Sequence, residues 1–328
     1  MADVTLQLRW RRFALQLPRP LQTSRQSLAA RRGWLLQLRT PAGGVGWGEA
    51  APLAVDGEPE PALEAIAAAI ADLGPSPQRA QLEVALLDPR WPGAFAFALG
   101  AALAEADGLV GAAAGGWLPA PAAAVLLPAG EAALAVARSA VAAAAPAFKW
   151  KVAVHDDASE RRLLERLLEQ LPPTARLRLD ANGRWSRATA WAWAERLAGE
   201  PRLQWLEQPL APDDHEGLVA LAERLPVALD ESLTADPALR RSWPGWQVRR
   251  PSQEGDPRPL LSSLQAGGGS PVVLSTAFET GIARRWLHHL AALQARGPSP
   301  AAPGLALAWQ PQGPWASGDP QRVWEAAA

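Results

Sequence analysis

Several residue types are missing or scarce in this chain of 328 residues, and each absence excludes a kind of chemistry. The chain contains no cysteine, which excludes disulfide bonds, thiolate metal sites and cysteine nucleophiles. It has no tyrosine either, and its formal net charge of −1 provides no basic surface of the kind that binds a nucleic-acid backbone. Oxygen and nitrogen groups must therefore carry any catalysis, and we expect no nucleic-acid partner.

Long hydrophobic runs are absent as well. Hydrophobic residues make up 48% of the chain, but no apolar stretch approaches the roughly 18 residues that a transmembrane helix requires. The first ten residues alternate between polar and apolar types and lack the apolar core of a signal peptide. We therefore expect a globular cytoplasmic protein with no membrane partner. The sequence leaves open whether it is a monomer or a homo-oligomer.

Lysine is nearly absent, since only Lys149 and Lys151 among the 32 basic residues are lysines. Arginine keeps its proton at any working pH, whereas the environment of a lysine can make it lose one. Two lysines that are two residues apart in a strand also point to the same face. The pattern predicts an amine used in proton transfer. The alternative is that two surface lysines escaped replacement by arginine by chance.

From about residue 120 onward, short apolar segments alternate with helical stretches rich in alanine, leucine and arginine. Eight segments have strand character, namely 122–127, 148–152, 176–180, 203–207, 227–231, 246–250, 272–275 and 305–308. The polar residues that end the middle strands follow one another at intervals of 20 to 29 residues, which is the length of one βα unit. Eight such units in succession favour a closed parallel α/β barrel of the TIM type over an open sheet.

The N-terminal part follows another pattern, with alternating strands near 4–17 and 33–38 and an alanine-rich helix at 60–73. This pattern predicts an α+β domain at 1–95, followed by the barrel domain at 96–309. The last segment, 310–328, has no strand of its own, so we expect it to pack on the N-terminal domain.

Acidic residues stand at the ends of three successive predicted strands. In a parallel barrel these strand ends converge on the face where the active site is built. Asp180, Glu207 and Asp230 would therefore surround a common point, and carboxylate oxygens are the ligands that Mg²⁺ prefers. A helix cap or a solvated strand end could account for any one of them, and for a lone aspartate it would be the better explanation. The two lysines would face the same point, where like charge and a divalent ion should lower the pKa of Lys151 toward the range of a general base.

The motifs around these residues resemble the enolase superfamily, in its muconate-lactonizing subgroup. They are Lys-x-Lys at 149–151, Asp-x-Asn at 180–182, Glu-Gln-Pro at 207–209 and Asp-Glu-Ser at 230–232. The segment GWGEAAPL at 46–53 is similar to the capping-domain signature of that subgroup, so the resemblance covers nearly the whole chain. It implies a modified (β/α)₇β barrel of the TIM type with an α+β capping domain.

Within the subgroup, the segments at 20–24, 31–34 and 275–281 are most similar to the o-succinylbenzoate synthase family. This resemblance implies a Mg²⁺-dependent syn dehydration of a small-molecule carboxylate, 2-succinyl-6-hydroxy-2,4-cyclohexadiene-1-carboxylate, in menaquinone or phylloquinone biosynthesis. It implies that Asp180, Glu207 and Asp230 bind Mg²⁺. Lys151 would be the base and then the acid, and Lys149 would support it.

The same resemblance points to residues that bind the substrate, which are Ser275, Thr276, Asn182, Thr23 and Ser24. Ser275 and Thr276, at the end of the seventh predicted strand, would hydrogen-bond a substrate carboxylate. The loop at 21–27 would cover the site.

One position departs from the family pattern, because the sixth predicted strand ends in Arg250-Pro251 where the family usually has Lys-Pro. Arginine cannot act as a base near neutral pH, which disfavours a two-base racemase or epimerase mechanism and leaves a one-base dehydration. Arg250 would instead stabilise an anionic intermediate by a cation–π contact. Two alternatives stay open: an N-succinylamino acid racemase or dipeptide epimerase of the same superfamily, and a barrel that binds metal without catalysis.

Overall fold

The computed structural model describes residues 4–22, 27–53 and 59–327. Its N-terminal part is a three-stranded antiparallel sheet in the order β1-β2-β3, with helices packed on it. The elements are β1 (Gln7–Gln22), β2 (Ser27–Arg39), β3 (Val45–Ala50), α1 (Glu60–Leu73), α2 (Arg79–Leu87) and α3 (Gly93–Ala106). The helix predicted at 60–73 is confirmed, and the two predicted strands are confirmed in kind but are longer than expected.

The remainder of the chain forms a parallel sheet of seven strands surrounded by helices. The strand order is β10-β9-β8-β7-β6-β5-β4, so each strand pairs with its neighbours in sequence, as consecutive βα units require. The elements are β4 (Val125–Leu127), α4 (Ala132–Ala142), β5 (Phe148–Lys151), α5 (Asp157–Gln170), β6 (Leu177–Asp180), α6 (Arg187–Leu197), β7 (Leu203–Glu207), α7 (His215–Ala222), β8 (Val227–Leu229), α8 (Glu231–Ala235), α9 (Leu239–Ser242), β9 (Trp246–Arg249), α10 (Arg258–Ala266), β10 (Val272–Leu274) and α11 (Gly281–Arg296).

Side chains of β5 alternate between the helices and the interior of the barrel. Trp150 is fully buried on the helix side, where its ring centroid lies 6.5 Å from that of Trp193 on α6. Lys149, the preceding residue, points to the opposite face and contacts acids of the neighbouring strands. The alternation predicted for the lysine pair is therefore confirmed at this strand.

The barrel closes through Pro303 and Gly304, and the eighth strand predicted at 305–308 is wrong. The amide of Ala124 donates to the carbonyl oxygen of Pro303 at 3.0 Å, and Gly304 bonds to the end of β10 through both its amide and its carbonyl. The chain then turns at Ala306, which has a φ of 43°. Left-handed backbone cannot continue a β-ladder, so one residue pair takes the place of a strand. The modified (β/α)₇β barrel with an α+β cap is confirmed.

Two glycines of β3 allow α3 to pack directly on the cap sheet. A β-carbon at Gly46 would lie 1.8 Å from the carbonyl oxygen of Ala102, and one at Gly48 would lie 2.0 Å from that of Ala98. Both distances are well inside van der Waals contact, so only glycine permits this approach. The domain boundary predicted between residues 95 and 96 falls within α3.

The C-terminal segment returns to the cap sheet as α12 (Pro320–Ala326). The ring of Trp324 lies 5.6 Å from that of Trp47 on β3, and the guanidinium of Arg11 donates to the carbonyl oxygen of Trp324 at 2.9 Å. The end of the chain therefore packs on the first sheet. Among the helices of the described ranges, none has the length and apolar character needed to span a membrane.

Candidate active site

The carboxyl ends of β5, β6 and β7 bring a lysine and two acids into direct contact. The strands are parallel and in register, with Lys151 opposite Asp180 and Asp180 opposite Glu207. The amine of Lys149 lies 2.8 Å from Oδ2 of Asp180 and 2.5 Å from Oε1 of Glu207. Burial by itself would lower the pKa of Lys149, but the charges of the neighbouring acids outweigh it and raise this pKa. Lys149 is thus a permanent cation that holds two acids in place.

The third predicted acid, Asp230, directly follows β8 and is paired with Arg250, which follows β9. Both terminal nitrogens of the Arg250 guanidinium donate to the Asp230 carboxylate, one of them at 2.7 Å. Asp230 is 4% exposed. Burial would raise the pKa of Asp230, but the Arg250 charge and its hydrogen bonds outweigh burial and lower it. The arginine that departs from the family pattern therefore keeps Asp230 ionised and fixes its orientation.

The three acids act on one another at short range. Burial raises the pKa of Glu207, and the charges of Asp180 and Asp230 raise it further, while Lys149 lowers it. All three acids also raise the pKa of Lys149. Lys149 contacts Asp180 and Glu207, and the charge of Asp230 acts on the same amine, so the three strand-end acids lie around one lysine.

Lys151 stands beside this cluster at the end of β5 and is partly exposed. Its pKa is lowered, first by burial and then by the charges of Arg184 and Lys149, against the opposing effect of Asp180. The predicted lowering is confirmed in direction. Its largest cause is burial, whereas the sequence pointed to like charge and a metal ion. Of the two lysines, only Lys151 is shifted toward a neutral amine.

Asn182 lies in the loop after β6 and contacts Glu231, an acid that the sequence interpretation did not assign to the site. The side-chain amide of Asn182 donates to Oε1 of Glu231 at 3.1 Å, and its backbone amide donates to Oδ1 of Asp180 at 3.0 Å. Burial and the charge of Asp230 raise the pKa of Glu231. The signal for Glu231 was present in the Asp-Glu-Ser motif, but only the fold shows that its carboxylate turns toward Asn182.

Gln208 positions the loop that carries Asp230. The sequence interpretation did not assign this role to Gln208. Its side-chain oxygen accepts hydrogen bonds from the backbone amides of Asp230 and Ser232, at 3.1 and 3.0 Å. Its side-chain nitrogen donates to the hydroxyl of Ser232 at 2.8 Å. Gln208 is fully buried, so the Glu-Gln-Pro motif supplies one candidate ligand and the support for another.

The residues predicted to bind substrate are found in different surroundings. Ser275 is partly exposed at the end of β10, opposite Gly304 in the strand bridge that closes the barrel. Thr276 is buried, and its hydroxyl donates to Glu279 at 2.6 Å, so it faces the protein interior. Thr23 and Ser24 lie outside the described residues.

The donor chemistry of the site fits Mg²⁺. In the described part of the chain, no three acidic or histidine side chains already form a ligand set for a metal ion. Lys149 and Arg250 instead engage carboxylate oxygens of all three acids. Every candidate ligand is nevertheless a hard oxygen donor, and one buried oxygen each on Asn182 and Glu231 has no hydrogen-bond partner. A cation of high charge would satisfy these oxygens, while the two basic residues offset part of the negative charge.

Comparison with known proteins agrees with this picture. A family model described as "Enolase C-terminal domain-like" matches residues 132–242. The o-succinylbenzoate synthase of Thermosynechococcus vestitus is 36% identical over 291 residues, which cover 86% of this chain and 87% of that relative. The crystal structure of o-succinylbenzoate synthase from Thermosynechococcus elongatus, complexed with Mg in the active site, has a TM-score of 0.80 and 31% identity over 98% of this chain and 99% of that chain. A dipeptide epimerase from Enterococcus faecalis shares the fold, with a TM-score of 0.71. The two chains are 18% identical, and the match covers 92% of this chain and 90% of that chain.

The fold and the site together define a capped (β/α) barrel enzyme whose acids and amines meet at the carboxyl ends of the strands. Identity of 36% along most of both chains extends the match well beyond the barrel geometry. The chain belongs to the enolase superfamily. The resemblance inferred from the sequence motifs is thereby confirmed.

Proposed function

We propose that this chain is an o-succinylbenzoate synthase, which dehydrates 2-succinyl-6-hydroxy-2,4-cyclohexadiene-1-carboxylate to 2-succinylbenzoate in menaquinone or phylloquinone biosynthesis. The observation that carries the proposal is the contrast between the two lysines. Lys149 is held protonated between two acids, whereas the pKa of Lys151 is lowered beside the same acids. A single amine that can lose its proton next to a carboxylate cluster suits a one-base dehydration. The relative that is 36% identical over most of the chain carries the same name.

In this proposal Asp180, Glu207 and Asp230 hold Mg²⁺, with Asn182 and Glu231 close by. When bound, the ion supplies positive charge to the substrate carboxylate, which makes the adjacent carbon–hydrogen bond more acidic. Lys149 orients the carboxylates of Asp180 and Glu207, since its amine contacts both.

Lys151 acts twice in the proposed reaction. As a neutral amine it takes the proton from the ring carbon that bears the carboxylate, and the electron pair of the carbon–hydrogen bond moves toward that carboxylate. The ammonium so formed then gives the same proton to the hydroxyl group on the neighbouring ring carbon. The carbon–oxygen bond breaks, water leaves and the ring becomes aromatic. One residue thus balances the proton transfer on one face of the ring.

Arg250 supports dehydration over racemisation. A two-base racemase needs a second group that can accept a proton from the opposite face of the substrate. Burial would lower the pKa of Arg250, but its pair with Asp230 outweighs burial and raises it, so this guanidinium keeps its proton. The site therefore offers one base, Lys151, while Arg250 and Lys149 both stay cationic.

The test is Mg²⁺-dependent loss of the diene absorbance of the substrate with purified protein. We expect turnover by the wild type and none by Lys151→Arg, which keeps the charge and much of the length of the lysine but cannot act as a base. Racemisation of N-succinyl amino acids or epimerisation of dipeptides without dehydration would contradict the proposal. Mg²⁺ binding without either reaction would favour a barrel that binds metal and does not catalyse.

We also propose that the predicted cap domain, 1–95, extends to the end of α3 at Ala106, that the catalytic barrel follows to residue 309, and that 310–328 completes the cap. The close packing of α3 on β3 supports this shift of the boundary. Limited proteolysis tests this division, since cleavage should be found in the segment between α3 and β4 before it is found within α3.

A further inference from the structure

A buried carboxylate of the cap occupies the start of a barrel helix. Glu49, on β3, is 1% exposed. It accepts a hydrogen bond from the backbone amide of Thr280 at 3.0 Å, another from the Thr280 hydroxyl and a third from the amide of Ala283 at 3.4 Å. Thr280 is the N-cap of α11, where unpaired amides and the helix dipole favour an anion. The cap therefore binds the first turn of α11.

A second buried carboxylate, Glu279, joins the loops that follow β9 and β10. It accepts hydrogen bonds from the hydroxyls of Ser252 and Thr276, both at 2.6 Å, and from the amide of Ala277 at 2.8 Å. The hydroxyl of Thr276 in turn accepts a hydrogen bond from the amide of Phe278, whose φ is 65°. Within this turn Glu279 thus holds the hydroxyl of Thr276 and the amide of Ala277, and the turn begins one residue after Ser275.

Arg31 links the two carboxylates. It is 2% exposed and donates to the carbonyl oxygens of Ala51 and Pro52, the latter at 2.8 Å. Its charge acts on both Glu49 and Glu279. We call Arg31, Glu49, Glu279 and Thr280 the cap–barrel junction. Three ionisable groups buried at one contact are costly, since apolar residues of similar volume would often stabilise the contact as well or better. Their presence therefore points to a role in geometry.

The geometry points to the cap–barrel junction as a positioning device for Ser275: Glu279 sets the turn that follows Ser275, and Glu49 anchors the far end of that turn to the cap. The inference rests on the proposed function, in which the hydroxyl of Ser275 binds a substrate carboxylate. No hydrogen bond engages that hydroxyl within the described ranges, so it is available for a ligand. Within the described ranges Glu49 and Glu279 have no hydrogen bond to Ser275 or to the three candidate Mg²⁺ ligands, so they would act on the substrate only through the position of Ser275.

The first test compares Glu279→Gln with Glu105→Gln. Glu105 is a matched control, because it also joins cap and barrel, accepting from the amide of Trp47 at 2.9 Å and from Arg285 at 2.6 Å, but it does not contact the turn after Ser275. Glutamine at 279 keeps the volume but replaces one acceptor oxygen by a donor. We expect Glu279→Gln to raise KM about tenfold with little change in the Mg²⁺ dissociation constant. We expect Glu105→Gln to leave KM unchanged.

A double-mutant cycle identifies the route of the effect. If Glu279 acts through Ser275, then Glu279→Gln should raise KM no further in a Ser275→Ala background. Independent, additive effects on KM would overturn the inference, as would equal KM changes in the Glu279 and Glu105 variants. A changed Mg²⁺ dissociation constant in Glu279→Gln would also overturn it, because it would show damage to the whole barrel mouth.

Hydrogen exchange separates failure of this inference from failure of the proposed function. If the wild type does not dehydrate the proposed substrate, the function is wrong, and the anchoring role of Glu49 is still decided by amide exchange. We expect Glu49→Gln to increase exchange at residues 276–280 about tenfold, and Glu105→Gln to leave exchange there unchanged. Unchanged exchange in Glu49→Gln would overturn the anchoring role whatever the reaction.

Discussion

Replacement of Lys149 by methionine removes a charge while keeping a side chain of similar length. The amine lies 2.8 Å from Asp180 and 2.5 Å from Glu207, and the Lys149 side chain is 22% exposed. Removing one partner of a buried ion pair costs about 3–5 kcal/mol, because the remaining charges are left buried without compensation. Partial exposure of the amine puts the expected loss near the lower end, about 3 kcal/mol. At about 2 °C per kcal/mol for a chain of this size, Tm should fall by roughly 6 °C.

The proposed metal site adds a second expectation, because the two uncompensated acids are candidate Mg²⁺ ligands. An ion that binds only the folded state stabilises it by about 2.7 kcal/mol when its concentration is a hundred times the dissociation constant. Mg²⁺ should therefore raise the Tm of the variant more than that of the wild type, because the wild type already has a cation at these acids. Thermal unfolding followed by circular dichroism, with EDTA and with excess Mg²⁺, measures both effects.

The matched control is Arg322→Met, since the Arg322 side chain is 75% exposed and should be worth less than about 0.5 kcal/mol. An unchanged Tm of Lys149→Met in EDTA would show that the lysine does not stabilise the two acids. An equal fall in Tm with and without Mg²⁺ would show that the lysine and the ion do not share their partners.

Three further predictions concern single residues. Lys151→Ala should lower kcat by a factor of roughly 10² to 10⁴ or more, because the amine acts as the base. Tm should change little, because the side chain is partly exposed. A variant with wild-type kcat in the diene assay would contradict the assignment of Lys151 as the base. Arg250→Lys should retain dehydration, since a lysine can still pair with Asp230, and a complete loss of turnover would show that the bidentate geometry is indispensable. Burial raises the pKa of Glu49 from 4.5 to about 7, although the hydrogen bonds from Thr280 oppose this. An acid with a raised folded-state pKa contributes stability that is complete below its unfolded pKa and is lost as the pH rises through the folded value. Ionisation of Glu49 should therefore lower the free energy of unfolding by about 3 kcal/mol as the pH rises from about 4.5 to about 7. Glu49→Gln should remove that part of the pH dependence in urea unfolding, and identical slopes for the two proteins would contradict the assignment.

Local patterns determined the elements of the barrel and the identity of its chemical groups. The alternation of side chains along a strand placed Lys149 and Lys151 on one face, and the spacing of βα units placed three acids at the ends of successive strands. These inferences hold because strand period and the convergence of parallel strands depend on the backbone alone. The prediction of the eighth strand was wrong because hydrophobicity alone supported it. The apolar run at 305–308 does not reveal that Ala306 has a left-handed backbone conformation.

Only the tertiary structure decided which charges neutralise one another. Arg250 was read as a cation facing the substrate, yet its guanidinium is committed to Asp230. Glu49 meets Thr280 across 231 positions of sequence, and the contact creates a buried junction that no local pattern contains. Pairing, burial and pKa depend on distances of a few ångströms between distant segments. The sequence specifies which ionisable groups are present. Folding decides which of them become neighbours and how much water is removed around each, and these two factors set their protonation.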